Sequence, residues 1–306
     1  MRVQSLRAMR LYEYGKPLRL EDVPVPKVSD EAVLVKIGGA GVCHSDIHLI
    51  EGHWQDILPI ALPITPGHEN AGWIAEVGDK VEDFKPGDSV IFLGGWTCEA
   101  CRFCRGGRHL LCENIVLMGL FGADGGYAEY AYYKTYRHLI RINGLDPAEV
   151  APLTDAALTP YHAVKRVTSR LYPGSYAVVV GVGGLGQYAV QFLKLLTPAN
   201  VIAVDVSEKQ LEIAEKLGAD HLVNAKKANA LDEVANITGG FPAMGLGGAV
   251  AVLDFVGEET FENSILMLSK GGTIVPLGLS GQTLRAPIFQ TICFEYEILG
   301  LSLIHI

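Results

Sequence analysis

The sequence predicts an α/β plus β chain of two domains, a β-rich region followed by a doubly wound parallel sheet. Three observations carry this expectation. At 306 residues the chain exceeds what one hydrophobic core usually serves. Residues 8–150 are rich in Gly, Pro and short alternating apolar runs such as 32–37 and 88–92, the pattern of an all-β region with many turns. After Pro152 the pattern becomes strand–helix alternation. A β-rich run at 176–180 leads into a helical pattern through Leu196, then a strand at 201–206, a helix from Glu208 to Leu217 and a short strand at 221–223. Later strands are expected at 249–255, 273–277 and 297–303. Alternation of this kind builds a parallel sheet covered by helices on both faces. With no internal repeat or low-complexity segment, the boundary falls near Pro152, giving domains 1–152 and 153–306.

Composition narrows the function. Apolar residues make up 49% of the chain and charged residues 19%, which excludes a disordered protein and fits buried parallel strands. A net charge of −9 without a basic run argues against a nucleic-acid partner, whose phosphates need a basic face. Residues 1–16 mix Arg2, Arg7, Arg10 and Glu13 with apolar residues and lack the apolar core of a secretion signal. The most apolar stretch, 176–206, is broken by glycines, Lys194 and Pro198, so it is no membrane span of about 20 apolar residues. The expectation is a soluble cytoplasmic protein. Structural disulfides are rare in that compartment, so clustered cysteines there point to metal binding or catalysis.

Gly181-Val182-Gly183-Gly184-Leu185-Gly186 follows a strand and opens a helix, the context in which a Gly-x-Gly-x-x-Gly match is informative. Gly181, Gly183, Gly184 and Gly186, with Leu185 among them, let the turn tighten and the backbone approach a pyrophosphate at the positive end of the helix. Asp205 stands near the end of the next strand, where its carboxylate can accept from an adenosine ribose. A 2′-phosphate would meet repulsion from Asp205, offset only by Lys209, so NAD is expected over NADP. Cys98, Cys101, Cys104 and Cys112 are spaced Cys-x2-Cys-x2-Cys-x7-Cys, which lets four thiolates surround one tetrahedral ion. Four thiolates with no open position describe a structural zinc site, with an iron–sulfur centre as the main competitor. Cys293 stands apart on an apolar stretch and is expected to be an ordinary buried residue.

Gly41-Val42-Cys43-His44-Ser45-Asp46-Ile47-His48 packs a thiol, two imidazoles, a hydroxyl and a carboxylate into a few residues. Downstream comes Gly67-His68-Glu69-Asn70-Ala71-Gly72, followed by Gly78, Val81, Gly87 and Asp88. On these segments, with the four-cysteine loop and the dinucleotide fingerprint in the same order, residues 9–300 resemble the zinc-dependent medium-chain alcohol dehydrogenases, of the bacterial and archaeal NAD-dependent secondary alcohol dehydrogenase type. The resemblance implies a GroES-like catalytic domain followed by a Rossmann coenzyme domain, with the active site in the cleft between them.

It further implies one catalytic and one structural zinc, NAD, and a small alcohol, aldehyde or ketone as substrate. Cys43, His68 and Asp155 become the catalytic zinc ligands. Many relatives carry Cys at the third position and a subset of bacterial secondary alcohol dehydrogenases carries Asp. The exchange leaves two anionic ligands and one neutral one, so the site stays neutral with zinc. Glu69 is implied to coordinate transiently, and Asp46 to accept from the other nitrogen of His68 and fix its tautomer. Ser45 is implied to pass the substrate proton through the coenzyme ribose to His48, the general base, with His44 contacting the pyrophosphate. Trp54, Trp96 and Leu120 lie on segments that line the substrate cleft in relatives, with ordinary core packing as the equal alternative. A polyol or amino-alcohol dehydrogenase of the same family, or a non-catalytic zinc- and NAD-binding relative, are the competing expectations. Relatives pair through the strand edge expected at 297–303, giving a homodimer or homotetramer. The ending Leu301-Ser302-Leu303-Ile304-His305-Ile306 departs from the family pattern, so a truncated C-terminus is also expected.

Overall fold

The computed structural model describes residues 5–58 and 60–301. One compact unit runs up to Ala156 and a second begins at Ala157.

In the first unit β1 (Ser5–Arg10) and β2 (Arg19–Pro24) form an antiparallel ribbon. They are followed by β3 (Val33–Gly41), α1 (His44–Glu51), β4 (Glu69–Val77), β5 (Ser89–Phe92) and β6 (Gly95–Trp96). Next come a one-turn helix α2 (Arg102–Arg105), β7 (Val116–Met118), β8 (Gly122–Ala123), β9 (Tyr130–Tyr133), β10 (Leu139–Arg141) and α3 (Pro147–Val150). Five strands make one antiparallel sheet in the order β10-β5-β4-β3-β9, and β6-β7-β8 make a small second one. The period of two is visible on β3. Val33 and Val35 pack with Ile74, Val90, Phe92 and Tyr133, while Leu34 faces a separate cluster with Val28 and Ala32. A bulge lies between Ile37 and Gly39, and the ladder with β4 ends at the pair Gly41–Glu69.

The second unit opens with α4 (Leu158–Val167) and continues β11 (Tyr176–Val180), α5 (Gly184–Leu196), β12 (Asn200–Asp205), α6 (Glu208–Lys216) and β13 (His221–Asn224). After α7 (Ala230–Thr238) come β14 (Ala249–Asp254), α8 (Glu258–Leu266), β15 (Leu268–Pro276), α9 (Ile288–Cys293) and β16 (Glu297–Ile298). All pairings are parallel, in the order β13-β12-β11-β14-β15-β16. The two faces carry separate cores. Ala177, Val179, Val201, Ala203 and Leu253 pack with Ala163, Val167, Val190, Leu193 and Leu211, whereas Val178, Ile202, Val204 and Val252 pack with Val234, Phe261 and Ile265. This is the doubly wound arrangement that the strand–helix alternation predicts, with strand order reversing at β11 and β14.

Three expectations need correction. β15 begins at Leu268 and not at Thr273, because Leu268 pairs with Ala249 before a register shift at Gly271-Gly272 that hides the first half of the strand in the sequence. Cys293 is exposed, since α9 buries none of its apolar residues among the described contacts. The strand expected at 297–303 ends at Ile298, and its last two residues, like the ending 302–306, lie outside the described residues.

Candidate functional site

The Gly41–Glu69 rung is where β3 and β4 part, and each releases a segment that carries chemistry. After Gly41 the backbone stays extended at Cys43, which caps α1. Asp46, at the third position of the helix, reaches back to accept from the Cys43 N–H at 3.0 Å, one half of a capping box. The same carboxylate serves a second purpose. Its Oδ1 lies 3.1 Å from His68 Nδ1 and accepts from the Gly67 N–H at 3.2 Å, while Oδ2 accepts from the Tyr127 hydroxyl at 2.9 Å. With Nδ1–H given to Asp46, His68 presents the lone pair of Nε2 on its other side. There Asp155 Oδ2 stands 3.2 Å from Nε2 and 3.6 Å from Cys43 Sγ.

Donor atoms of Cys43, His68, Glu69 and Asp155 all lie within 4.8 Å of one another. A tetrahedron with zinc–ligand bonds of about 2.0–2.3 Å has edges of about 3.3–3.8 Å, so the thiol, imidazole and carboxylate fit a zinc ion. His68 and Asp46 are each 1% exposed. Burial works against a charged His68, but hydrogen bonds to Asp155, Asp46 and Cys43 outweigh it and hold its pKa well above the usual histidine range. A cation at this site has to displace that proton. Burial, and then the nearby Asp155, push Glu69 up to about 7. A Cβ at Gly41 would sit 2.0 Å from Glu69 Oε2, so a larger residue there would push the Glu69 carboxylate out of its present place.

The four cysteines 98, 101, 104 and 112 also converge within 4.8 Å, with Cys101 and Cys104 sulfurs 3.5 Å apart. Backbone N–H groups of Cys98, Cys101 and Asn114 point at sulfurs of Cys112 and Cys98. Such donors, led by Ala100 and Cys101, hold the Cys98 thiol down at about 6, whereas burial pushes Cys104 up to about 12. Sulfur-only donors at these separations fit a closed zinc site.

On α1, Ser45 and His48 lie three residues apart, hence on one face, with Ser45 buried. The His48 ring stands against His44, His53 and Trp54 at centroid distances of 5.2, 4.9 and 5.6 Å. Burial first, then His44 and His53, lower its pKa. In the parallel-sheet unit, Gly186 permits close packing of α5 on its strand, since a Cβ there would meet the Gly181 carbonyl at 2.0 Å. An added Cβ at Gly183 or Gly184 would meet open space at the N-terminus of α5, leaving a cradle for a phosphate group. Asp205 Oδ2 accepts from the Val182 N–H and Oδ1 from the Ser207 N–H, both at 2.8 Å, so it orders the glycine loop and keeps lone pairs for hydroxyl donors. Lys209 is exposed on α6, and His44 on α1.

Of the two readings open for Trp96 and Leu120, the structure favours core packing. Trp96 is buried against Tyr133, and Leu120 is fully buried beside Leu11, Leu49 and Ile64; both pack cores because the segment around β6 to β8 folds inward. Trp54 is half-buried against the same cluster as Leu120. Tyr127, which no motif marked, contributes to the His68 site.

Residues 29–144 match the alcohol dehydrogenase GroES-like domain and residues 184–305 the zinc-binding dehydrogenase family. The chain is 41% identical to an NAD-dependent alcohol dehydrogenase of Sulfurisphaera tokodaii, over 92% of this chain and 80% of that protein. It is 36% identical to a D-arabinose 1-dehydrogenase (NADP(+)) of Saccharolobus solfataricus, over 96% and 82% respectively. The crystal structure of an alcohol dehydrogenase from the archaeon Aeropyrum pernix superposes with a TM-score of 0.89 at 42% identity, covering 96% of this chain and 85% of that one. The β-rich unit, the doubly wound sheet and these matches together place the chain in the zinc-dependent medium-chain alcohol dehydrogenase family, as an oxidoreductase of alcohol or polyol substrates.

Proposed function

We propose that the protein interconverts a small primary or secondary alcohol and its aldehyde or ketone with NAD, using Cys43, His68 and Asp155 as catalytic zinc ligands and Cys98, Cys101, Cys104 and Cys112 as structural ones. The observation that carries this reading is the convergence of Cys43 Sγ, His68 Nε2 and Asp155 Oδ2 at tetrahedral edge distances, with a single further carboxylate, Glu69, beside them. When bound, zinc polarises the alcohol oxygen as a Lewis acid and NAD takes up the hydride.

The chain's own residues do the rest. Asp46 holds His68 in the tautomer whose Nε2 can ligate. Glu69, beside the three ligands, would be available as a further carboxylate donor to the metal. Ser45 receives the substrate proton at Oγ, and His48, kept neutral by its lowered pKa, releases it to solvent. The glycine loop from Gly181 to Gly186 receives the pyrophosphate, with His44 as a second contact. Asp205 accepts from the adenosine ribose and repels a 2′-phosphate, while Lys209 lies nearby as a countercharge.

The catalytic chemistry belongs to residues 1–152 together with Asp155, and coenzyme binding to the remainder of 153–306. The D-arabinose dehydrogenase relative supports a second reading, a polyol or sugar as substrate. Apolar Ile288, Phe289 and Ile292 exposed on α9, beside the edge strand β16, support a homodimer or homotetramer. Six unpaired cysteines support a reducing cytoplasm as the working compartment. No described helix is long and apolar enough to cross a membrane.

The test is reduction of NAD and of NADP over a panel of primary, secondary, aryl and polyol alcohols, with zinc measured on the same sample. The reading requires NAD-dependent turnover and one zinc for each of the two donor clusters. Turnover without zinc in the Cys43 cluster, or a preference for NADP, refutes the corresponding assignment.

A further inference from the structure

We propose that Tyr127 is a positioning residue of the His68 metal site, completing the set of donors that locks Asp46 and, through it, the histidine ligand. The inference rests on the assignment of Cys43, His68 and Asp155 as ligands.

A carboxylate has room for about four donors, two on each oxygen. Asp46 is buried and receives four: Gly67 N–H and His68 Nδ1–H at Oδ1, Cys43 N–H and Tyr127 O–H at Oδ2. Three of these come from the two segments that carry Cys43 and His68. The fourth comes from elsewhere in the chain. Tyr127 precedes β9 and is itself anchored by backbone bonds, its N–H donating to the Pro66 carbonyl at 3.0 Å and its carbonyl accepting from the Met9 N–H at 2.8 Å. Its hydroxyl lies 2.9 Å from Asp46 and 3.2 Å from the Gly41 carbonyl. The single phenolic proton goes to the charged and nearer acceptor.

The consequence is geometric. Without Tyr127, Oδ2 keeps only the Cys43 N–H, and three donors in place of four hold the carboxylate less firmly. The partner that aims His68 Nε2 toward Asp155 and Cys43 is then less rigidly fixed. Partners that orient a ligating histidine are worth roughly 10–100-fold in metal affinity or activity. Tyr127 acts one bond further out, so the lower end of that range applies.

Tyr127→Phe removes the hydroxyl and keeps the ring. In the zinc-loaded variant, release of the catalytic zinc to a chelator is expected to be about tenfold faster than in wild type, with the four-cysteine zinc retained as an internal reference. Cobalt substituted at the same site should show shifted d–d bands in the variant. Release within twofold of wild type together with a superimposable cobalt spectrum overturns the proposal, even if the thermal midpoint falls, because that outcome describes a merely structural tyrosine. Should the variant fail to fold, 3-fluorotyrosine placed at position 127 reads the same contact: its fluorine resonance must move when the catalytic zinc alone is removed, and an unmoved resonance overturns the assignment. A wild-type protein that holds zinc only at the four cysteines overturns the ligand assignment and the role of Tyr127 with it; zinc present but insensitive to the substitution removes Tyr127 alone.

Discussion

The two donor clusters of the β-rich unit are built on opposite plans. The four-cysteine cluster takes all its donors from residues 98–112, and a single loop closes on itself with backbone N–H groups turned toward the sulfurs. The Cys43 cluster draws donors from positions 43, 68, 69 and 155, brought together only when β3, β4, α1 and the turn before α4 are all in place. The first set is uniform and closed. The second is mixed, with one thiol, one imidazole and carboxylates, and one of those carboxylates, Glu69, has its pKa pushed up to about 7 by burial and the nearby Asp155. One loop can supply the first set; the second depends on segments that the paired ends of β3 and β4 bring together with the turn before α4.

The sharpest way to break this contrast is to exchange the consequences of ligand loss. Cys43→Ser or His68→Ala should lower turnover by about a thousandfold, since the Lewis acid is worth several kcal/mol, while one zinc per chain remains by metal analysis. Comparable turnover in either variant would falsify the open-site assignment. Ser45→Ala follows, with turnover reduced about a hundredfold and coenzyme affinity unchanged by titration, because the hydroxyl is proposed to move a proton and to hold no ligand. Cys104→Ser is the reciprocal case: the thermal midpoint should drop by on the order of 10 °C in calorimetry while activity persists below the transition. If activity vanishes first, the loop is not merely structural.

The smallest effect concerns pH. His48 titrates below the usual histidine value, so it stays neutral and able to accept a proton down to a pH under 6.5, and alcohol oxidation should decline only as pH falls through that lowered pKa. In His48→Gln this acid limb should disappear from the profile of kcat with a several-fold loss of rate. A limb that persists unchanged assigns the titration to another group.

How much of this was legible in the sequence follows from how local each feature is. The cysteine loop and the glycine turn are short spacings with a strand before or a helix after, so the order of residues nearly determines the geometry. Cys43 and His68 were legible as motifs, and Asp155 only through family resemblance, since 112 residues separate Asp155 from Cys43. Tyr127 carried no signal at all, because its value lies in a contact with a residue 81 positions away and no spacing encodes it. For Trp96 and Leu120 the sequence leaves two readings open, because large apolar residues on loops look alike whether they face a ligand or the core. Cys293 misled because α9 is apolar in composition yet exposed.

The last rung of the β3–β4 ladder, Gly41 opposite Glu69, behaves as the pivot of a calliper. One jaw carries Cys43, two residues beyond the rung, and the other carries His68, one residue before it. The gap between the jaws is therefore set by sheet hydrogen bonds that make no contact with the reacting atoms. The protection of the amides at that rung against solvent exchange is thus a direct gauge of how rigidly the jaws are held, legible without any metal or substrate signal.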